Sequence, residues 1–282
     1  MSFRHSLRTF PSHIPFGHTV GACLAKIKKC NIFLSWSGMS AKCIIFVVRN
    51  YTYYIIMIKH IPNTITCLNL LSGCLAVIFA FGGNYDAVVV CIALSAVFDF
   101  CDGLAARLLK AYSPMGKELD SLADLVSFGL APAVMSYNLL LEVLPSDYAW
   151  VAYATMMIPV FAALRLAKFN IDDSQATTFK GLPVPANALW WIGACRVLAE
   201  NNNTATLVCF VASIVVFSLL MVSNLPMFSL KFKGLGWRGN EVRYVMIVVA
   251  VALLALQGVA GFAPIIGLYV IKSLLSPKVA RA

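Results

Sequence analysis

The sequence predicts an all-helical, polytopic membrane bundle of about eight transmembrane helices, and three observations predict it. Of the 282 residues 60% are hydrophobic and 12% charged, with a mean hydropathy of +0.82, more apolar than a soluble core of this size requires. The apolar residues fall in uncharged runs at 61–85, 87–98, 125–141, 148–164, 181–195, 201–230 and 244–271. The cations then divide unequally between the two sides of the alternating topology that those runs imply.

Taken in order, the runs place helices near 62–82, 85–110, 117–141, 148–170, 185–199, 205–224, 242–257 and 260–276. A span needs roughly 20 residues, so the fifth and the last two are short. Gln257, Gly258, Gly261 and Pro264 interrupt the final run, which without them reads as one long tilted helix. With eight helices, fourteen cations (Lys59, Arg107, Lys110, Lys117, Arg165, Lys168, Lys180, Lys231, Lys233, Arg238, Arg243, Lys272, Lys278 and Arg281) share one side, against Arg196 on the other. That bias makes the cation-rich side and both termini cytoplasmic; a seven-helix version strands Lys272, Lys278 and Arg281 outside. Lys231, Lys233, Arg238 and Arg243 read as a lipid-facing basic loop. The excess of 22 Lys plus Arg over 12 Asp plus Glu thus reports topology and membrane lipid contact, and nucleic acid is not expected as a partner. Nine scattered cysteines form no Cys-x2-Cys pair, so neither a zinc site nor a disulfide framework is expected.

Residues 1–56 differ from all that follows. They carry seven Lys or Arg, no acid, and three of the four histidines. They read as a basic extension outside the fold, with the membrane domain occupying 57–282 and Met57 as a natural start; a basic targeting segment is the other reading.

The stretch that promises chemistry runs from Asp99 to Asp124. Taking 100° per residue, Asp99, Asp102, Gly103, Ala106 and Arg107 share an arc of about 140° on one helix. On the next helix Gly116, Asp120 and Asp124 step by four and form a stripe. Packed together, the two helices bring four carboxylates to one cleft. Carboxylates inside a membrane are costly and mark pathways or reaction centres. Four bare anions must neutralise or recruit cations, and two divalent ions balance them. An all-oxygen set suits Mg²⁺, Mn²⁺ or Ca²⁺ rather than zinc. Such a site suits phosphoryl-type transfer, in which ions neutralise pyrophosphate oxygens while an aspartate takes a proton from an attacking hydroxyl. No Gly-x-Ser-x-Gly elbow and no P-loop occurs, and His60 is the one histidine beyond residue 56. A cation pathway through the membrane is the alternative from a different class, although the acids gather toward one end instead of recurring through the depth.

The order Asp-x2-Asp-Gly-x2-Ala-Arg-x8-Gly-x3-Asp-x3-Asp, from Asp99 to Asp124, resembles position for position the signature of the CDP-alcohol phosphotransferase family of membrane enzymes. The resemblance implies a six-helix family core with further C-terminal helices. It also implies two Mg²⁺ or Mn²⁺ ions held by Asp99, Asp102 and Asp120, and Asp124 beside the second ion as general base. Gly103, Ala106 and Arg107 would line the CDP moiety, and a homodimer would be the assembly. Asn63 and Thr66 either cap the first helix or touch the nucleotide. Segments around Ile61–Thr66, Ser127–Ala133, Arg165–Asn170 and Gly181–Ala186 are similar to the phosphatidylserine synthase branch of that family. That branch implies CDP-diacylglycerol as donor and L-serine as acceptor, with glycerol 3-phosphate or inositol as the alternative acceptors. A serine carboxylate would suit Arg165, by a bidentate fork, together with Lys168.

Overall fold

Helix ends in this chain are set by residues that can satisfy the backbone groups left open there. Asn84 accepts from the Ala87 amide at 3.2 Å, Ser113 from Gly116 at 2.9 Å ahead of Pro114, and Asn203 from Thr206 at 2.9 Å. Each starts a helix by occupying one orphan donor of its first turn. Gly83, at φ +69°, makes the tight reversal before Asn84 that L-residues resist.

The computed structural model describes residues 41–171, 180–228, 236 and 240–275, with side chains from His60 onward. The chain divides into two compact units, Met1–Ile55 and Ile56–Ala282. Of the first, only the helical backbone of 41–55 is described. In the second, α1 (Ala41–Phe81, counted here from His60) is followed by α2 (Tyr85–Leu108) and α3 (Pro114–Asp124). A π-helical turn (Leu125–Leu130) joins α3 to α4 (Ala131–Val143), and a 3₁₀ stretch (Ser146–Met156) leads into α5 (Met157–Ile171). Then come α6 (Val184–Glu200), α7 (Thr204–Val222), α8 (Glu241–Gln257) and α9 (Phe262–Leu275), the last two joined by a 3₁₀ turn (Gly258–Gly261). No strand forms among the described residues; Lys180 and Pro226 make one isolated bridge.

The helices expected from 85 onward are present within a few residues of their expected ends, whereas the first, expected near 62–82, begins at Ala41 and runs to Phe81 without a break. Among the described residues six stretches are long and apolar enough to cross a membrane, Glu241–Leu275 counted as one. Within that stretch the chain folds back. Gly258 sits at φ +54°, a Cβ on Gly261 would press on the Leu253 and Leu254 backbone, and Glu241 and Lys272, from opposite ends of the sequence segment, line one cleft. Among the described residues the second unit therefore has eight rods, with the final apolar run folded into two of them. At 1.5 Å per residue α6 and α8 reach about 26 Å, a little short of a ~30 Å hydrocarbon core.

Side-chain pairs fix which helix ends lie together. Lys117 donates to the Asn170 carbonyl at 2.9 Å, and Lys168 to the Val222 carbonyl at 3.1 Å and to Asn224 at 2.6 Å. At the opposite end Arg196 meets Asp86 at 3.7 Å, and Tyr85 donates to Glu142 at 2.7 Å. Arg107, Lys110, Lys117, Arg165, Lys168, Lys180, Arg243 and Lys272 thus belong to one end and Arg196 to the other. Lys231, Lys233, Arg238, Lys278 and Arg281, with residues 1–40, lie outside the described residues. Arg243 departs from the basic-loop expectation. It is buried, takes the Asn240 side chain at 3.0 Å and lies over the Phe228 ring, because the first turn of α8 folds it inward.

The core is built around α6. Trp191 is fully buried, with its edge on Phe210 and its indole N–H on Asn187 at 3.2 Å, while Trp190 stacks on Phe217. Outward faces carry Val90, Leu94, Val97, Phe100 and Leu104 on α2, and Val208, Val215 and Leu219 on α7. Apolar outside as well as inside, these helices match a lipid solvent.

Candidate functional site

Three elements meet at the site. α1 contributes a polar stripe, Asn63, Thr66 and Asn69, on a largely apolar helix. α2 contributes Asp99 and Asp102, and α3 contributes Asp120 and Asp124. Carboxylate oxygens of Asp99, Asp120 and Asp124 all lie within 4.8 Å of one another. Asp102 stands beside that triad: Thr66 Oγ1 donates to its Oδ2 at 2.5 Å, and it shares a cleft wall with Asp120. The expected four-acid convergence is thus a triad plus a neighbour held by α1.

Asp124 is buried and ends α3, so the chain leaves it through the π-helical turn. That turn has a local cause. Pro132 has no N–H, and its ring would crowd the carbonyl four residues back, so the ladder widens and the Ala131 amide bonds back to Val126. Inside the turn Ser127 donates to the Asn69 carbonyl at 3.0 Å, as Ser95 does at 3.2 Å. Gly73 makes this approach possible, since a Cβ there would lie 2.8 Å from the Ser127 Cα.

A cleft of about 200 Å³ opens beside the acids, lined by Asn63, Thr66, Asp102, Gly103, Ala106 and Asp120, and also by Pro62, Ala111, Tyr112, Ser113, Gly116 and Lys117. Asn63 and Thr66 face this cleft within a continuous helix and do not cap it. Gly116 is open for a reason: a Cβ would come 2.9 Å from Asn63 Oδ1 and 3.0 Å from Ser113 Oγ. Arg107 stays exposed at the rim and donates to the Gly103 carbonyl at 3.0 Å.

Arg165 and Lys168 do not stand together. Arg165 is buried, donates from Nε to the Leu182 carbonyl at 3.1 Å, packs over Phe169, and interacts electrostatically with Asp124 and Tyr269. Lys168 closes the end of α7, a favourable place for a cation at a helix C-terminus. Sequence reasoning missed Asn69, Tyr112, Ser113 and Lys117. The i, i+3, i+6 spacing of Asn63, Thr66 and Asn69 was the available signal for the first; for the loop residues no periodic signal exists.

The donor set fits hard divalent cations. It is all oxygen, no Lys or Arg among the described residues ion-pairs with the four acids, and Asp120 Oδ1 is buried without a hydrogen-bond partner. Fold and site together define a polytopic membrane protein whose acid cluster, able to hold a metal, lies near one end of the bundle.

The chain belongs to the CDP-alcohol phosphatidyltransferase family, whose model matches residues 59–271. It is similar to proteins named CDP-diacylglycerol--serine O-phosphatidyltransferase. That of Bacillus subtilis is 40% identical over 140 residues, which is 50% of this chain and 75% of that protein. The Helicobacter pylori protein is 30% identical over 225 residues, 76% of this chain and 89% of its own length. The Mycobacterium leprae protein is 36% identical over 179 residues, 59% of this chain, and there the chain spans 57% of the relative's length.

Proposed function

We propose that this chain transfers the phosphatidyl group of CDP-diacylglycerol to L-serine, giving phosphatidylserine and CMP. The observation that carries the reading is the convergence of Asp99, Asp120 and Asp124, with Asp102 beside them, next to a cleft that Asp102 and Asp120 line together with Gly103, Ala106 and Gly116. Asp99, Asp102, Asp120 and Asp124 would hold two Mg²⁺ or Mn²⁺ ions, which when bound supply charge neutralisation for the pyrophosphate. Asp124 takes the proton from the serine hydroxyl. The freed oxygen forms a bond to the lipid-bearing phosphorus, the bond from that phosphorus to the CMP oxygen breaks, and CMP leaves with its electron pair.

Asn63, Thr66, Gly103, Ala106 and Arg107 contact the CDP moiety in this reading. Small residues at 103, 106 and 116 let the nucleotide approach the helix backbones, as a larger side chain would not. A cleft of about 200 Å³ is smaller than whole-ligand pockets of roughly 300–1,000 Å³. Its walls therefore grip one part of the nucleotide, and the rest lies at the open mouth beside exposed Tyr112. Arg165, in electrostatic reach of Asp124, takes the serine carboxylate, while Lys168 holds the end of α7 through Val222 and Asn224. The charge bias of the helix ends supports a cytoplasmic site and cytoplasmic termini. The homodimer implied by the sequence resemblance belongs to the same proposal and is tested by crosslinking in intact membranes.

The deciding experiment measures CMP release by the purified protein from CDP-diacylglycerol with Mn²⁺ and one acceptor at a time. Turnover with serine, and none with inositol or glycerol 3-phosphate, is expected. Turnover with either of those and not with serine overturns the acceptor, and metal flux into liposomes without CMP release overturns the enzyme.

A further inference from the structure

Asn69 is fully buried on α1, and both ends of the residue serve the site. Its side-chain Nδ2 donates to Asp124 Oδ1 at 3.3 Å. Its main-chain carbonyl receives two hydroxyls, Ser127 from the π-helical turn and Ser95 from α2. One residue of α1 is thereby tied to both acid-bearing segments. Its Oδ1 has no partner in the protein, although a buried amide oxygen left unpaired is costly. The reverse orientation would set that oxygen against the carboxylate, so the hydrogen bond to Asp124 outweighs satisfying the rest of the amide.

We propose that Asn69 is a positioning residue for Asp124: its amide holds one carboxylate oxygen so that the other faces the Asp99–Asp120 cluster. The hydroxyls of Ser95 and Ser127 hold Asn69 in turn, so the geometry at Asp124 is set by three elements and not by α3 alone. Residues that orient a metal-binding carboxylate commonly alter metal affinity or turnover by about 10- to 100-fold when removed. The inference rests on the role proposed above for Asp124.

The test uses the full chain with Asn69→Leu, close in volume and without the donor, and Asn69→Ser, too short to reach Asp124, should the first not assemble. Mn²⁺ binding is read by the free-ion paramagnetic resonance signal, and kcat and KM by CMP release. Expected are Mn²⁺ binding weakened by about tenfold or more, and kcat reduced by a similar factor with little change in KM for CDP-diacylglycerol. Asn138→Leu, which removes an amide far from the acids, lowers thermal stability and leaves Mn²⁺ binding unchanged. In a double-mutant cycle, Asn69→Leu adds no further loss to Asp124→Asn. Losses that multiply, or wild-type Mn²⁺ binding and kcat in both Asn69 variants, overturn the proposal. An inactive Asp124→Asn beside fully active Asn69 variants would remove this inference alone, whereas an active Asp124→Asn would remove the role of Asp124 itself.

Discussion

Thr66 shows how one hydroxyl of α1 can tune an acid on α2. It donates to Asp102 at 2.5 Å while also bonding back to the Pro62 carbonyl at 3.0 Å, so its rotamer is held from its own helix. Replacing it by the near-isosteric valine removes the donor and keeps the volume. A hydrogen bond to a charged group contributes about 1.5–3 kcal/mol, so Thr66→Val is expected to lower kcat/KM for CMP release by roughly tenfold or more, with little change in melting temperature. Gly116 makes a complementary point about space. Gly116→Ala brings a Cβ against Asn63 and Ser113, and the expected result is a KM for CDP-diacylglycerol raised several-fold, read by the same assay. The spacing of the acids exposed both helix faces in advance, because 3.6-residue periodicity needs no partner to be legible. Thr66, Asn69 and Tyr112 acquire meaning only when a second element arrives, since nothing local tells a polar residue which acid it will meet.

At the scale of elements, the π-helical turn Leu125–Leu130 is the feature that carries most consequence. It inserts a wide turn between Asp124 and the apolar body of α4, and its cause, Pro132, lies well away from the acids. Pro132→Ala restores a donor and is expected to let the turn relax toward α-helix, rotating Asp124 relative to the buried face of α4. CMP release should fall while thermal stability is kept or raised, measured by turnover and by unfolding in detergent. Gly73, opposite Ser127, gives the converse case. A methyl group there overpacks the contact between α1 and the turn, at a cost of about 1–3 kcal/mol, so Gly73→Ala should lower the melting temperature. The sequence placed one uninterrupted helix across 117–141, because a single π-helical turn between two α-helices leaves the apolar run unbroken and adds no turn-forming residue. Asn84, Ser113 and Asn203 set their helix starts through contacts with the next turn, since capping is a local transaction between a side chain and the backbone.

For the molecule as a whole, the alternation of helix directions places Arg107, Lys110, Lys117 and Lys168 at one end and Arg196 at the other. A cysteine in place of Asp147, at the Arg196 end, is expected to react with a membrane-impermeant thiol reagent in intact cells. A cysteine in place of Tyr112, at the cleft mouth, should react only after permeabilisation; the reverse pattern would invert the proposed topology. Chelation of divalent ions should abolish CMP release and added Mn²⁺ should restore it, because the described residues provide no basic side chain paired with the acids. By itself the sequence determined the class of fold and the order of the helices, and it singled out the four aspartates. Those follow from composition, hydropathy and fixed spacing along single elements. Only the tertiary structure decided that the last apolar run folds back at Gly258, that three acids cluster while Thr66 holds the fourth, and that Arg165 and Lys168 serve separate neighbours. Each of these depends on contacts between segments distant in the chain, and such contacts arise from packing that no single stretch of sequence encodes.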